Sequence, residues 1–279
     1  MTIKYSFDPT KKPLGTGGPI KHAERLLGKD PFLVLNGDIF TEISYNKLIQ
    51  THIRTGAWAT LALCHVEDPS RYGVADMAEN GQIKRFIEKP RKGTEPSKLI
   101  NAGVYVLNSE VLQLIPEGRA VSVEREIFPK LAEQGKLFGH VTNGLWIDIG
   151  RPDEYLQANR ILLDKSEPVT KSLPHVNVKK PVALEKGVSI EKGAVIGPYA
   201  VLGRKVSVGR NVRICDSVVF QGAKIGDSAS LEGAIVGEEA FVGDHVKIGR
   251  GCVIADHAKI LRGASLAEGT LVCPAKEIS

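Results

Sequence analysis

The sequence predicts an α/β domain followed by a β-helix, and three patterns carry that prediction. Short apolar runs ending in polar turns alternate with helix-like segments up to about residue 165. Aliphatic anchors then recur every six residues from 182 to about 272, and a proline-containing stretch of weak periodicity separates the two regions. The expected boundaries are residues 1–164 for the α/β domain, 165–181 for a linker and 182–279 for the repeat domain.

The 279 residues, 42% hydrophobic and 25% charged, can bury two ordinary cores. No apolar run approaches the ~20 residues of a membrane span, and MTIKYSFDPTKK lacks the apolar segment of a secretion signal. A soluble cytoplasmic protein without a membrane partner is expected. Cys64, Cys215, Cys252 and Cys273 form no CxxC pair, which reads as reduced thiols rather than zinc ligands. The formal charge of +5 suits phosphate-bearing substrates, but the basic residues are scattered, so no nucleic-acid partner is expected.

In chain order, the first element is the glycine-rich turn LGTGG, residues 14–18. Its backbone N–H groups could face an anion at the start of the helix PIKHAERLL, or it could be a plain connection. It is no Walker A loop, because GK[ST] is absent and MTIKYSFDPTKKP is too polar and broken to be a Rossmann strand. FLVLNGD reads as a buried parallel strand that sets Asp38 at its C-terminal mouth, where open α/β sheets bind ligands. Such a carboxylate can hold Mg²⁺ against phosphates; a turn or N-cap aspartate has the same spacing.

ATLALCHV, GVADM, IKRFIEKP, NAGVYVLN and LFGHV read as further strands, and SVEREIFPKLAEQG and PDEYLQANRILLDK as helices. Glu88 and Lys89 place a hydroxyl acceptor beside a phosphate-binding cation, although exposed Glu-Lys pairs are common. Asp148 lies in the apolar segment WIDIG and needs a metal ion, Arg151 or a polar substrate to offset its burial.

In the repeat domain the anchors are Leu184, Ile190, Ile196, Leu202, Val208, Ile214 and Phe220, then Val236, Val242, Ile248, Ile254, Ile260 and Leu266. Ile225 and Leu231 bridge the two runs with two steps of five. A step of six fits a coil of three flat faces, in which every third anchor stacks ~4.8 Å above another. Fifteen anchors give about five coils. Glycines following the anchors at 197, 203, 209, 226, 237, 243 and 249 read as positive-φ corners. Repeats of this kind resemble the left-handed parallel β-helix family, which includes acyltransferases; His245 and His257 are the candidate bases for such chemistry, and solvated corner residues otherwise.

Taken together, LGTGG, FLVLNGD, RYGV, FIEKP, NAGVYVL and WIDIG, in that order before a hexapeptide β-helix, resemble the sugar-phosphate nucleotidyltransferases, and within them the mannose-1-phosphate guanylyltransferases. The resemblance implies an incomplete Rossmann-like nucleotidyltransferase domain followed by a left-handed parallel β-helix. It implies attack of a sugar 1-phosphate, here mannose 1-phosphate, on the α-phosphate of a nucleoside triphosphate, here GTP, with Mg²⁺ as cofactor and pyrophosphate as leaving group. Asp38 and Asp148 would hold the metal, and Lys89 would meet the sugar phosphate during the reaction. Glu88 would take sugar hydroxyls, Gly73 would admit the sugar phosphate to its backbone, and Asn101 would touch the sugar. Leu14, Gly15, Thr16 and Gly18 would line the nucleobase pocket.

The family opens with an apolar strand and a Gly-Gly-x-Gly-x-Arg loop that clamps the triphosphate, and nothing in this sequence matches that segment. The expectation is an N-terminally incomplete catalytic domain, with an unpaired edge beside FLVLNGD and activity that depends on another chain supplying the segment. A truncated reading frame, a split enzyme and a non-catalytic regulatory or assembly homologue binding nucleotide sugar all fit. Exposed faces and coil ends of the β-helix lead to the further expectation of a homo-oligomer.

Overall fold

The computed structural model describes residues 2–8, 13–166 and 174–279, so residues 167–173 of the expected linker lie outside the described residues. The chain divides into two compact units, Met1–Trp146 and Ile147–Ser279.

In the first unit the glycine-rich turn enters α1 (Gly18–His22) and α2 (Glu24–Leu27). The single helix expected over 19–27 is thus two short ones, parted where Ala23 tightens to ψ −2°. β1 (Phe32–Leu35) and β2 (Ile39–Thr41) follow, then α3 (Tyr45–Thr55), which Gly56 ends in the left-handed conformation at φ +62°. The remaining elements are β3 (Ala59–His65), β4 (Gly73–Met77), β5 (Ile83–Glu88), β6 (Leu99–Leu107), α4 (Phe128–Glu133) and β7 (Leu137–Val141). They form one mixed sheet, ordered β5-β4-β6-β3-β7, with β1 also on β6.

β3 is buried along its length except at His65, running antiparallel to β6 and parallel to β7. It is the central apolar strand. β1 departs from expectation: it pairs antiparallel with β6, Leu35 opposite Val104, and is half-buried rather than buried. β6 is its one strand neighbour among the described residues, so Leu35 stays 44% exposed. The helix expected over 122–135 also divides, into a π turn at Val123–Ile127 and α4. Phe128 at the junction meets Phe86 and Tyr105 edge-on at 5.5 and 5.3 Å, closing the core.

β8 (Trp146–Asp148) spans the boundary of the units, and α5 (Pro152–Lys165) opens the body of the second. Beyond it, two- and three-residue strands from Asn177 to Ile278 build three parallel sheets of six strands each. Six layers replace the five expected, because Val178, Val272 and Ile278 extend the stack past the anchors read from sequence.

One anchor moves. Leu202 is in register with Val219, and Val219, fully buried, with Val236. The first five-residue step therefore falls between Ile214 and Val219, and Phe220 is no anchor; it stacks on Tyr155 of α5 at 6.2 Å. The corner beside this short step is Asp216, at φ +51°, held by Arg160 of α5 and by Arg250 at 3.2 Å.

The glycine expectation is also corrected. Of the seven glycines after anchors, positive φ occurs at Gly197. At Gly203, Gly226 and Gly237 a Cβ would stand 2.8, 2.6 and 2.6 Å from a backbone nitrogen of the next coil. Close stacking of coils excludes side chains there, while the left-handed corners are taken by residues such as Lys205, Asn211, His245 and His257.

Candidate functional site

Of the sequence-predicted residues of the first unit, Gly73, Glu88, Lys89 and Asn101 lie on or next to the neighbouring strands β4, β5 and β6, and Asp38 follows β1, which pairs with β6. β4 and β5 pair Gly73 with Glu88. Asn101 follows Ile100, whose partner across β4 and β6 is Val74, the residue after Gly73. Beyond β1, the Asn36 N–H donates to the Gly103 carbonyl at 2.8 Å, which brings the turn carrying Asp38 against the same stretch of β6. Asp38 itself is exposed. Trp146 donates its indole N–H to the Ala102 carbonyl at 2.8 Å and meets Tyr72 edge-on, bracing this stretch of β6.

Gly73 cannot carry a side chain, because a Cβ would press on the Phe86 ring and stand 2.9 Å from Glu88 Oε2. Glu88 is half-buried and Lys89 exposed; their charged groups lie 4.0 Å apart. Burial pushes the Glu88 carboxyl above the ordinary glutamate range, and the Glu124 charge adds to that; Lys89 and Arg125 oppose it. Lys89 has φ +50° and donates its N–H to the Tyr72 carbonyl, fixing the strand end that presents the pair. Asn101 turns its Oδ1 onto the Gly103 N–H at 3.1 Å.

The glycine turn docks on residues 119–126. Gly17 donates to Val121 O at 2.8 Å, and Val121 donates to Leu14 O at 3.0 Å. Leu14 is buried, Gly15 has φ +72°, and a Cβ on Gly18 would meet Leu14 at 2.5 Å. These glycines thus answer to close packing of the chain on itself. Thr16 Oγ1 donates to Glu124 Oε2 at 2.5 Å and accepts from the Val123 N–H at 3.0 Å.

Glu124 and Arg125 are the residues sequence reasoning missed. Their signal, a charged run in a helix-like segment, is that of a solvated face, and the π turn that brings Glu124 to Thr16 has no period of its own.

Asp148 belongs to the second unit and Asp38 to the first. Asp148 accepts the Gly150 N–H on Oδ1 at 2.9 Å, while Arg151, its expected partner, pairs with Asp153 at 3.2 Å. Among the described residues no three His, Cys, Asp or Glu cluster as a metal site, and no helix is long and apolar enough to cross a membrane. Burial pushes the Cys64 thiol up to about 12, which suits a packing residue. His245 and His257 stand on exposed corners of the solenoid.

This arrangement defines the class: a nucleotidyltransferase-like α/β sheet joined to a parallel β-solenoid. Residues 1–165 match the family model described as nucleotidyl transferase, and residues 178–279 match the one described as the GMPPB C-terminal domain. The chain belongs to the nucleotidyl transferase family.

Two curated relatives illustrate the similarity. The mannose-1-phosphate guanylyltransferase catalytic subunit beta of Xenopus tropicalis is 41% identical over 159 residues, covering 56% of this chain and 43% of that protein. The mannose-1-phosphate guanyltransferase of Saccharomyces cerevisiae is 39% identical over 166 residues, 58% of this chain and 45% of its own. The chain spans about half the length of the curated relatives it matches. A solved Bacillus anthracis structure, provisionally assigned as a glucose-1-phosphate thymidylyltransferase, aligns with a TM-score of 0.50 at 24% identity, covering 58% of this chain and 65% of that one. That likeness is one of fold.

Proposed function

We propose that the chain acts in sugar-1-phosphate nucleotidyl transfer, joining mannose 1-phosphate to GTP and releasing pyrophosphate. The observation that carries this reading is the Glu88–Lys89 pair at the end of β5, set beside the side-chain-free backbone of Gly73. Glu88 offers acceptor oxygens to sugar hydroxyls, and Lys89 meets the phosphate as a point charge. Asn101 completes the sugar side from β6, and the turn of Leu14, Gly15, Thr16 and Gly18 holds the base. The names of the relatives favour mannose and guanine.

Mg²⁺ fits the oxygen donors available: Asp38 presents an exposed carboxylate, and Asp148 commits Oδ1 to a backbone N–H. Either carboxylate, within its own unit, would hold magnesium against phosphates and so offset their charge. Lys89 and Glu88 would hold the sugar phosphate and sugar at the end of β5, and such positioning is the main protein contribution to this class of reaction.

Calorimetric titration with mannose 1-phosphate reads the site directly. We expect wild type to bind and Lys89→Ala to weaken binding ~10-fold or more, the worth of one charge-assisted hydrogen bond. Wild-type chain that does not bind the sugar phosphate would overturn the reading. With GTP, Mg²⁺ and a separately expressed segment carrying the family's glycine-rich arginine loop added, pyrophosphate release is expected, falling ~100-fold in Asp38→Asn and in Asp148→Asn. Binding without release in wild type is the result a regulatory homologue would give.

A further inference from the structure

We infer that Glu124 is a positioning residue that seats the glycine turn on the π turn packed against β5, one carboxylate oxygen holding Thr16 while the charge reaches Glu88 at the end of that strand. This rests on the proposed reading of the glycine turn and Glu88 as two parts of one substrate site.

Glu124 Oε2 takes two hydroxyl hydrogen bonds, from Thr16 Oγ1 at 2.5 Å and from Ser122 Oγ at 2.8 Å. Thr16 Oγ1 also accepts the Val123 N–H at 3.0 Å, so this hydroxyl is fixed as donor and acceptor at once. Ser122 Oγ accepts the Arg125 N–H at 3.2 Å, which locks the first residues of the π turn. Oε1 of Glu124 takes no hydrogen bond from the described residues.

The π turn packs on β5, the strand that ends in Glu88. The charges acting on Glu88 are Glu124 and Arg125 from the π turn and Lys89 from its own strand end. Burial raises the Tyr105 hydroxyl above its ordinary range, and the Glu124 charge adds to that. A base that moves the Glu124 carboxylate along with Thr16 would change the field at Glu88, and a sugar bound at Glu88 would act back on the turn. Such coupling is reciprocal by linkage.

The test is a carboxyl-carbon NMR titration of Glu88 in the ligand-free chain, its resonance assigned with Glu88→Gln. Glu124→Gln keeps an acceptor for Thr16 and removes the charge; the Glu88 midpoint is expected to fall toward the ordinary glutamate value. Thr16→Val keeps the charge and removes the hydroxyl. There the midpoint should not fall, while amide exchange at Gly15–Gly18 speeds up, and Thr16→Ser should restore protection.

If Glu124→Gln folds poorly, Glu124→Asp withdraws the charge and should move the midpoint the same way. The pH dependence of mannose 1-phosphate binding should shift with the Glu88 midpoint. An unchanged midpoint in the Glu124 variants overturns the inference. A shifted midpoint in a chain that binds no sugar phosphate supports it and overturns the functional reading instead.

Discussion

A methyl group at Gly15 would run into the Val121 carbonyl, and at φ +72° it would also strain the backbone. Gly15→Ala is expected to cost about 1–3 kcal/mol in chemical denaturation, with exchange at Thr16 and Gly17 rising most. Equal stability would mean that the turn does not dock on Val121. Glu88 gives a second prediction with the opposite sign. Its carboxyl is raised above the ordinary 4.5, so its contribution to folding is complete below that value and is lost as pH rises through the folded-state value. Glu88→Gln should therefore melt higher than wild type at neutral pH, with the gap closing below pH 4.5. A constant gap across that range would remove Glu88 from the half-buried position. At this scale the sequence made residue types legible but not their neighbours: Glu88, Lys89 and Asp38 could be singled out, whereas Glu124 acquires its role from a contact with Thr16, 108 positions away.

Strands were easier to read than their pairing. GVADM and LFGHV coincide with β4 and β7, since alternating or continuous apolar runs are local signals. β1 misled because an apolar run reports burial potential, while parallel or antiparallel pairing depends on which strand arrives beside it. α3 buries Leu48, Thr51 and His52 and leaves Ile49 and Ile53 exposed, so its apolar residues do not mark its inner face. In the solenoid, Val218, Val219 and Phe220 offered three adjacent apolar residues, and a strict step of six chose the wrong one. Val219→Asp is expected to prevent stable folding of the solenoid, because an unpaired carboxylate would enter a fully buried stack. Phe220→Asp should cost only the Tyr155 contact, about 0.5–1.5 kcal/mol. Circular dichroism melts of both variants decide the register: equal losses, or a larger loss at Phe220, would restore the six-residue count.

The two units differ in how they should answer to acid, because their buried titratable groups are unequally shared. In the first, His52 is buried with Nδ1 at 2.9 Å from Thr60 Oγ1 and Nε2 at 2.8 Å from Asn108 Oδ1; burial lowers its titration, and the Asn108 bond opposes this. His140 on β7 is lowered by burial and by Lys47 and Arg54. A histidine held below 6.5 contributes stability that is present above that value and is lost as pH falls through its folded-state value, where the unfolded chain takes the proton more readily. The solenoid core is aliphatic except for Cys252, and its His245 and His257 are exposed corner residues. Lowering pH from 7.5 toward 5 should accordingly speed amide exchange, after correction for intrinsic rates, in peptides from α3, β3 and β7 while those spanning Val206–Ile260 change little. His52→Gln, which keeps a donor and an acceptor without a charge to gain, should reduce the acid response of α3 and β3. Equal acceleration in the solenoid, or an undiminished response in His52→Gln, would show that acid acts elsewhere in the chain.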